Sequence, residues 1–228
     1  MSTHLITGAG SGIGASLAER LAARGDRLVL LARSEERAAE LVARFPGAQA
    51  LVADLSEPGS LAGAVAGRLP ESLDSLLHVA GVVELGTVEN LDVARWQETL
   101  TVNLVAVAEL TRLCLPGLRA ARGHVVLVNS GSGLVAHPTW AAYAASKHGL
   151  RGFADALRGE EREHGVRVTS VYPGRTATPM QEKVHAQEGK EYDASAWMDP
   201  ASVATTVLTA LDLPRDAEVT DLSVRPTP

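Results

Sequence analysis

The sequence predicts an α/β fold: a doubly wound, mainly parallel sheet of about seven strands (a Rossmann fold), in a single domain spanning residues 1–228. Three observations predict it. Short apolar, β-branched runs recur at residues 4–7, 27–32, 48–53, 73–79, 124–129, 166–171 and 218–224, each of strand length. Most are separated by a segment of helical period, and such alternation implies a parallel sheet covered by helices on both faces through right-handed crossovers. The 228 residues, without an internal repeat or linker, suit one such domain with a substantial core.

The first strand, at residues 4–7, is followed by glycines at 8, 10, 12 and 14, and then by an apolar stripe of Ile13, Leu17 and Leu21. Glycines at these places let the backbone bend tightly and approach a pyrophosphate, and the amides of the following helix N-terminus favour an anion. Gly8, Ser11, Gly12, Ile13 and Gly14 are therefore candidate dinucleotide contacts; the plainer reading is a structural turn. The second strand ends in Leu31-Ala32-Arg33-Ser34. Folds of this type often carry an acid here to hold ribose hydroxyls. Alanine followed by arginine suits the extra 2′-phosphate of NADP instead, so NADP(H) is expected over NAD(H), with Ser11 and Ser34 as hydroxyl donors. Arg33 can also be read as a solvated charge, and Ser34 as an N-cap.

The strand at 124–129 leads to Ser130 and a flexible Gly131-Ser132-Gly133. A residue so placed lies at the ligand-binding edge of a parallel sheet. Thirteen residues on comes Tyr143, and four further Lys147. On a helix the last two share a face one turn apart, and a nearby ammonium favours the phenolate and lowers the phenol's pKa. A hydroxyl, a phenol and an ammonium so arranged suit reduction of a carbonyl. An ordinary amphipathic helix would show the same spacing. The chain, however, holds only three lysines against eighteen arginines, so a retained lysine points to a compact, tunable charge.

Taken together, Thr7-Gly-x-x-x-Gly12-Ile-Gly14, Ser130, Tyr143 and Lys147 resemble the short-chain dehydrogenase/reductase family in its single-domain form, over nearly the whole chain. The resemblance implies an NADPH-dependent carbonyl reductase or alcohol dehydrogenase acting on a ketone or aldehyde. Tyr143 would be the acid, Ser130 would orient the carbonyl, and Lys147 would tune the phenol and hold the ribose. Asn103, in Thr-Val-Asn-Leu, would hold a water of a proton relay. It further implies adenine contact by Asp54 and Leu55, although Asp54 can equally cap a turn. Ala80 and Gly81 would lie against the cofactor ribose, and Pro173, Gly174, Thr176 and Thr178 would receive the nicotinamide end and a phosphate. His78-Val79 stands where the family usually has two asparagines, and His78 is expected to be a satisfied core histidine. The segment Asp92 to Leu118 reads as one long helix with apolar breadth, for which the resemblance implies a homodimer or homotetramer interface. Met180 to Asp199 is charged and poorly periodic and reads as a mobile lid, within a substrate lid of about 178–199. Asp199-Pro200 starts the last helix.

Other classes fit less well. The net charge of −6 is spread along the chain and no basic stripe marks a nucleic-acid face. The single Cys114 falls in an apolar helical stretch and is expected to be a buried structural thiol in a reducing, cytoplasmic setting. No apolar run approaches the ~20 residues of a membrane span, and no signal pattern opens the chain. No metal is expected. A dinucleotide-binding sensor without turnover would need the glycine turn but not Ser130, Tyr143 and Lys147. A sugar-nucleotide epimerase usually has a second lobe, whereas only about 50 residues follow Gly174 here.

Overall fold

The structure, a computed structural model, describes residues 1–227. Seven strands form one sheet: β1 (Thr3–Thr7), β2 (Arg27–Ala32), β3 (Gln49–Val52), β4 (Ser75–His78), β5 (His124–Val128), β6 (Arg167–Pro173) and β7 (Asp221–Val224). They are hydrogen-bonded in the order β3-β2-β1-β4-β5-β6-β7, and every pairing is parallel. Successive residues of a strand point to opposite faces, so each central strand must be apolar throughout. Leu5 packs beneath one helical layer with Leu76, Val125 and Val168. Its neighbour Ile6 packs beneath the other with Leu30, Leu77 and Val126. Burying each such side chain stabilises the fold by about 1.5–3 kcal/mol.

The helices are α1 (Gly12–Ala23), α2 (Glu35–Arg44), α3 (Leu61–Val65), α4 (Val93–Leu100), α5 (Ala106–Ala121), α6 (Ala141–Glu161), α7 (Pro179–Glu188) and α8 (Pro200–Leu211). One face of the sheet is covered by α3, α5 and α6, the other by α1, α2 and α8. Side chains stop the starts from fraying: Ser34 accepts the amide of Arg37 at 3.3 Å, Asp92 that of Arg95 at 2.9 Å, and Asp199 that of Ala201 at 2.7 Å.

The structure corrects four expectations. Asp92 to Leu118 is not one α-helix, because a π-turn over Thr101–Val105 separates α4 from α5 and contains Asn103. Together these elements make a 29-residue helical rod, Val93–Ala121, long and apolar enough to cross a membrane by length and composition. This amends the expectation that no such run exists; Val102, Ala106, Val107, Leu110, Cys114 and Leu118 of that rod are part of the sheet's core. Half of Met180–Asp199 is helix rather than loop. Thr178 accepts the amide of Gln181, Pro179 occupies the first turn and Gly189 closes the helix in the left-handed region, a start and stop signal that the charged, weakly periodic interior obscured. The strand expected at 218–224 begins only at Asp221, because side chains take over the preceding pairing: Glu218 accepts the amide of Val168 at 2.8 Å, and Thr169 donates to the carbonyl of Val219 at 2.5 Å.

Buried single residues behave as their types suggest. His78 bonds through Nε2 to Thr111 at 2.9 Å, and burial pushes its pKa down to about 3, so it is a neutral, satisfied core histidine. Cys114 is buried and free, with its thiol pushed up to about 12 by burial.

Candidate active site

The chain runs outward from β1 to β3, then returns past β1 to continue from β4, so the direction reverses between β1 and β4. A crevice opens beyond the carboxyl ends of strands at such a point. Here it is a cavity of about 900 Å³, lined among others by Gly8, Ser11, Gly12, Ile13 and Gly14 after β1 and by Ala80 and Gly81 after β4. Ser130 after β5, Pro173 at the end of β6, and Gly174, Thr176 and Thr178 beyond it complete that edge.

Two helix N-termini meet in this cavity. Ser11 stands at the N-cap of α1 in extended conformation and makes no side-chain cap, which leaves the first-turn amides free. Thr178 begins α7, and its methyl group lies 2.8 Å from where a Cβ on Gly12 would be. Gly12 has φ +52°, and a Cβ on Gly14 would fall 2.2 Å from the carbonyl oxygen of Gly8. Neither position has room for a side chain. The free amides, the converging positive dipole ends and the bare backbone fit the pyrophosphate of a dinucleotide.

The reactive groups lie at the other end. Tyr143 and Lys147 share one face of α6, as the four-residue spacing requires, and both are buried. The Lys147 ammonium sits 5.7 Å from the centre of the Tyr143 ring and donates to the carbonyl of Val128 at 3.0 Å. Ser130 lies two residues beyond β5, and its Oγ accepts the amide of Ser132 at 3.1 Å.

The electrostatics differ from the sequence expectation that Lys147 lowers the phenol's pKa. Burial dominates and raises the Tyr143 phenol above its ordinary value, and the Ser130 hydroxyl, rather than Lys147, is the group that opposes it. Ser130 and Tyr143 stand near each other without a hydrogen bond of ordinary geometry. Lys147 is itself displaced, its pKa lowered to about 8 by burial, because no carboxylate pairs with it among the described residues and one carbonyl does not replace water.

A stability test follows. Between about pH 8 and the ordinary lysine value the unfolded chain carries a proton that the fold has released, so Lys147 contributes stability that rises with pH through that window. The difference in unfolding free energy between the wild type and Lys147→Met, measured by denaturant titration without added cofactor, should shift in favour of the wild type from pH 8 to about 10. The subtraction cancels Cys114, whose raised pKa acts in the opposite sense. A pH-independent difference would mean that Lys147 is not destabilised by burial.

Amides hold the frame. Asn103 Oδ1 accepts the amide of Val82 at 2.8 Å, and its Nδ2 donates to the Val82 carbonyl at 2.9 Å and to Ser146 Oγ at 3.0 Å. The side chain thus fixes the loop after β4 to α6 and leaves one lone pair of Oδ1 unused. A Cβ on Gly81 would lie 3.2 Å from Asn103 Oδ1 and 3.8 Å from Lys147 Nζ, so the three converge. Sequence reasoning missed two further members. Asn129 accepts the Ser130 amide at 2.9 Å and donates to the Lys147 carbonyl at 3.0 Å, tying the serine strand to the lysine helix. Thr7 accepts the amides of Val79 and Ala80 at 3.0 and 3.1 Å, holding the tip of β4 where amide side chains are lacking. A polar residue ending an otherwise apolar strand was the available signal for both.

Arg33, Ser34, Asp54 and Leu55 lie outside the cavity, at the tips of β2 and β3, which are joined by the bond from the Ala53 amide to the Ala32 carbonyl at 2.8 Å. Arg33 is exposed and has no carboxylate partner among the described residues. The plainer readings hold in part: Ser34 is an N-cap, and Asp54 accepts the amide of Ser56 at 2.8 Å. Leu55 is buried among core residues. Beyond β6, Thr176 is buried and donates to the Gly174 carbonyl at 3.0 Å.

Over the reactive end lies α7, held to the loop after β4. Lys183 donates to the Val83 carbonyl at 2.9 Å and pairs with Glu84 at 2.8 Å, and Gln187 bonds both Glu84 and the Leu85 amide. Arg175 binds Glu188 and lies 5.3 Å from the centre of the Trp197 ring. The arrangement can donate a proton from Tyr143 to an oxygen and orient that oxygen through Ser130, in a pocket walled by Val83, Trp140, Met180 and Val184.

Comparison with known proteins agrees with this chemistry. The family model described as short chain dehydrogenase matches residues 2–189. A relative from Sinorhizobium fredii, described as the uncharacterized short-chain type dehydrogenase/reductase y4eK, is 34% identical over 228 residues, covering 98% of this chain and 90% of its own. Among solved structures, an actinorhodin polyketide ketoreductase variant with NADPH superposes with a TM-score of 0.87 at 27% identity, over 98% of this chain and 95% of that one. An alcohol dehydrogenase from the archaeon Thermococcus sibiricus complexed with 5-hydroxy-NADP gives 0.82 at 26% identity, over 98% and 96%.

Proposed function

The chain belongs to the short-chain dehydrogenase/reductase family and is an NAD(P)-dependent oxidoreductase, and from that premise we propose that it is an NADPH-dependent carbonyl reductase, reversible as an alcohol dehydrogenase. The observation that carries this reading is the meeting of Ser130, Tyr143 and Lys147 in one cavity with a glycine turn and two helix N-termini.

The substrate oxygen takes its place between Ser130 Oγ and Tyr143 Oη. Ser130 orients and polarises the carbonyl, and Tyr143 gives its phenolic proton to that oxygen. A phenol whose pKa is raised by burial stays protonated through neutrality, which suits an acid in the reducing direction. Lys147 holds the ribose next to the nicotinamide, and Asn103 holds the loop that faces it. When bound, the cofactor supplies the hydride. Preference for NADPH is supported by Arg33, an exposed guanidinium with no carboxylate partner among the described residues at the tip of β2, and by the absence of an acid at Ala32. The substrate is a small carbonyl compound or alcohol, the segment from Thr178 to Asp199 acts as its lid, and the working form is a homodimer or homotetramer in the cytoplasm. A panel of ketones, aldehydes and diketones, followed by NADPH oxidation, tests the reading; a chain that binds NADPH and reduces none of them would contradict it.

A further inference from the structure

The wall of the substrate pocket nearest the phenol is built around a strained residue. Thr139 has φ +69°, a left-handed conformation that a β-branched side chain resists and that persists only where the surroundings over-determine it. Its carbonyl accepts the amide of Gly86 at 2.9 Å, and Gly86 and Trp140 form a parallel bridge. Trp140 is thereby fixed at the N-cap of α6, where its own carbonyl accepts the amide of Ala144 at 2.8 Å. Its indole stands edge-on to the Tyr143 ring, with centres 5.8 Å apart and planes 66° apart. Leu85, Trp140 and Met180 surround Val83, Tyr143 and Val184 in one apolar cluster, and of these only Leu85 does not line the cavity.

Both the indole and the Met180 thioether favour an aromatic ring over a saturated one of the same size. The indole offers a polarised π-face or edge, and sulfur makes favourable contacts with ring edges. A flat ring also needs less width than a puckered one. We propose that Trp140 is the specificity-determining residue of this site and that it selects carbonyl substrates bearing an aromatic ring beside the reacting carbon. The proposal deepens the carbonyl-reductase reading and rests on it for turnover; binding tests it independently.

The test compares acetophenone with cyclohexyl methyl ketone, which match in size and differ in flatness and π-character. In the wild type, kcat/KM with NADPH should favour acetophenone by about three- to tenfold, the size of one aromatic contact. Trp140→Leu should bring the ratio to about one whatever it does to the absolute rates, and Trp140→Phe should retain the preference. Loss of both substrates alike in Trp140→Leu, or a wild-type ratio near one, would overturn the proposal. The affinities of both ketones for the NADPH-loaded protein, read by isothermal titration calorimetry, decide the case if neither turns over. A preference for acetophenone that Trp140→Leu removes would then support the aromatic wall and leave the reductase reading to fail alone, and equal affinities would overturn the wall.

Discussion

Tyr143→Phe is expected to lower kcat by about 10²- to 10⁴-fold, the usual cost of removing a general acid. Phenylalanine keeps the ring that packs against Trp140 and lies near the Lys147 ammonium, so the helix and the cavity wall remain. Only the transferable proton is lost. NADPH affinity should stay within about threefold of the wild type, because the loss falls on a step after binding. Steady-state kinetics with any accepted ketone, together with an NADPH titration, separates the two effects. Retained turnover in this variant would remove Tyr143 from the proposed role, and a collapse of cofactor binding would assign it a structural one.

The second large effect concerns cofactor choice. A guanidinium held against a 2′-phosphate is a charge-assisted contact worth about 1.5–3 kcal/mol, or roughly ten- to a hundredfold in affinity. Arg33 is exposed, lacks a carboxylate partner among the described residues, and follows the last residue of β2. Its full charge is therefore available. NADPH should bind the wild type more tightly than NADH by that factor, and the double variant Ala32→Asp, Arg33→Ala should reverse the order, since a carboxylate there accepts from ribose hydroxyls and repels a phosphate. Neither residue lines the cavity, so kcat with saturating cofactor should change little. Equal wild-type affinities for the two cofactors would reduce Arg33 to a solvated charge.

Most of the fold was legible because its determinants are local and periodic. Apolar runs of strand length, the helical periods between them and the glycine turn state themselves in sequence, and the seven-strand parallel sheet followed. What escaped depended on partners distant in the chain. Nothing local in Glu218-Val219 says that a glutamate and a threonine will replace a ladder. The π-turn around Asn103 exists beside loop amides 21 residues away, although an asparagine on an apolar face was itself the visible sign. The start of α7 was written in Thr178-Pro179 and its end in Gly189; the error lay in weighing interior periodicity above the caps. Spacing placed Ser130, Tyr143 and Lys147 together, yet the electrostatic balance among them was not legible. It depends on the burial of Tyr143 and Lys147 and on the Val128 carbonyl that Lys147 meets.

The central claim, that this chain passes a hydride to a carbonyl carbon with a proton from Tyr143, is tested most directly by following the hydride itself. The protein is incubated with NADPH deuterated at the transferable C4 position and with a ketone that it accepts, and the product alcohol is examined by mass spectrometry in the wild type and in Tyr143→Phe. The account predicts an alcohol carrying one deuterium on the former carbonyl carbon, formed one-for-one with NADP⁺ by the wild type and about 10²- to 10⁴-fold more slowly by the variant. Oxidation of NADPH without deuterium in an alcohol, or equal rates in the two proteins, would contradict it.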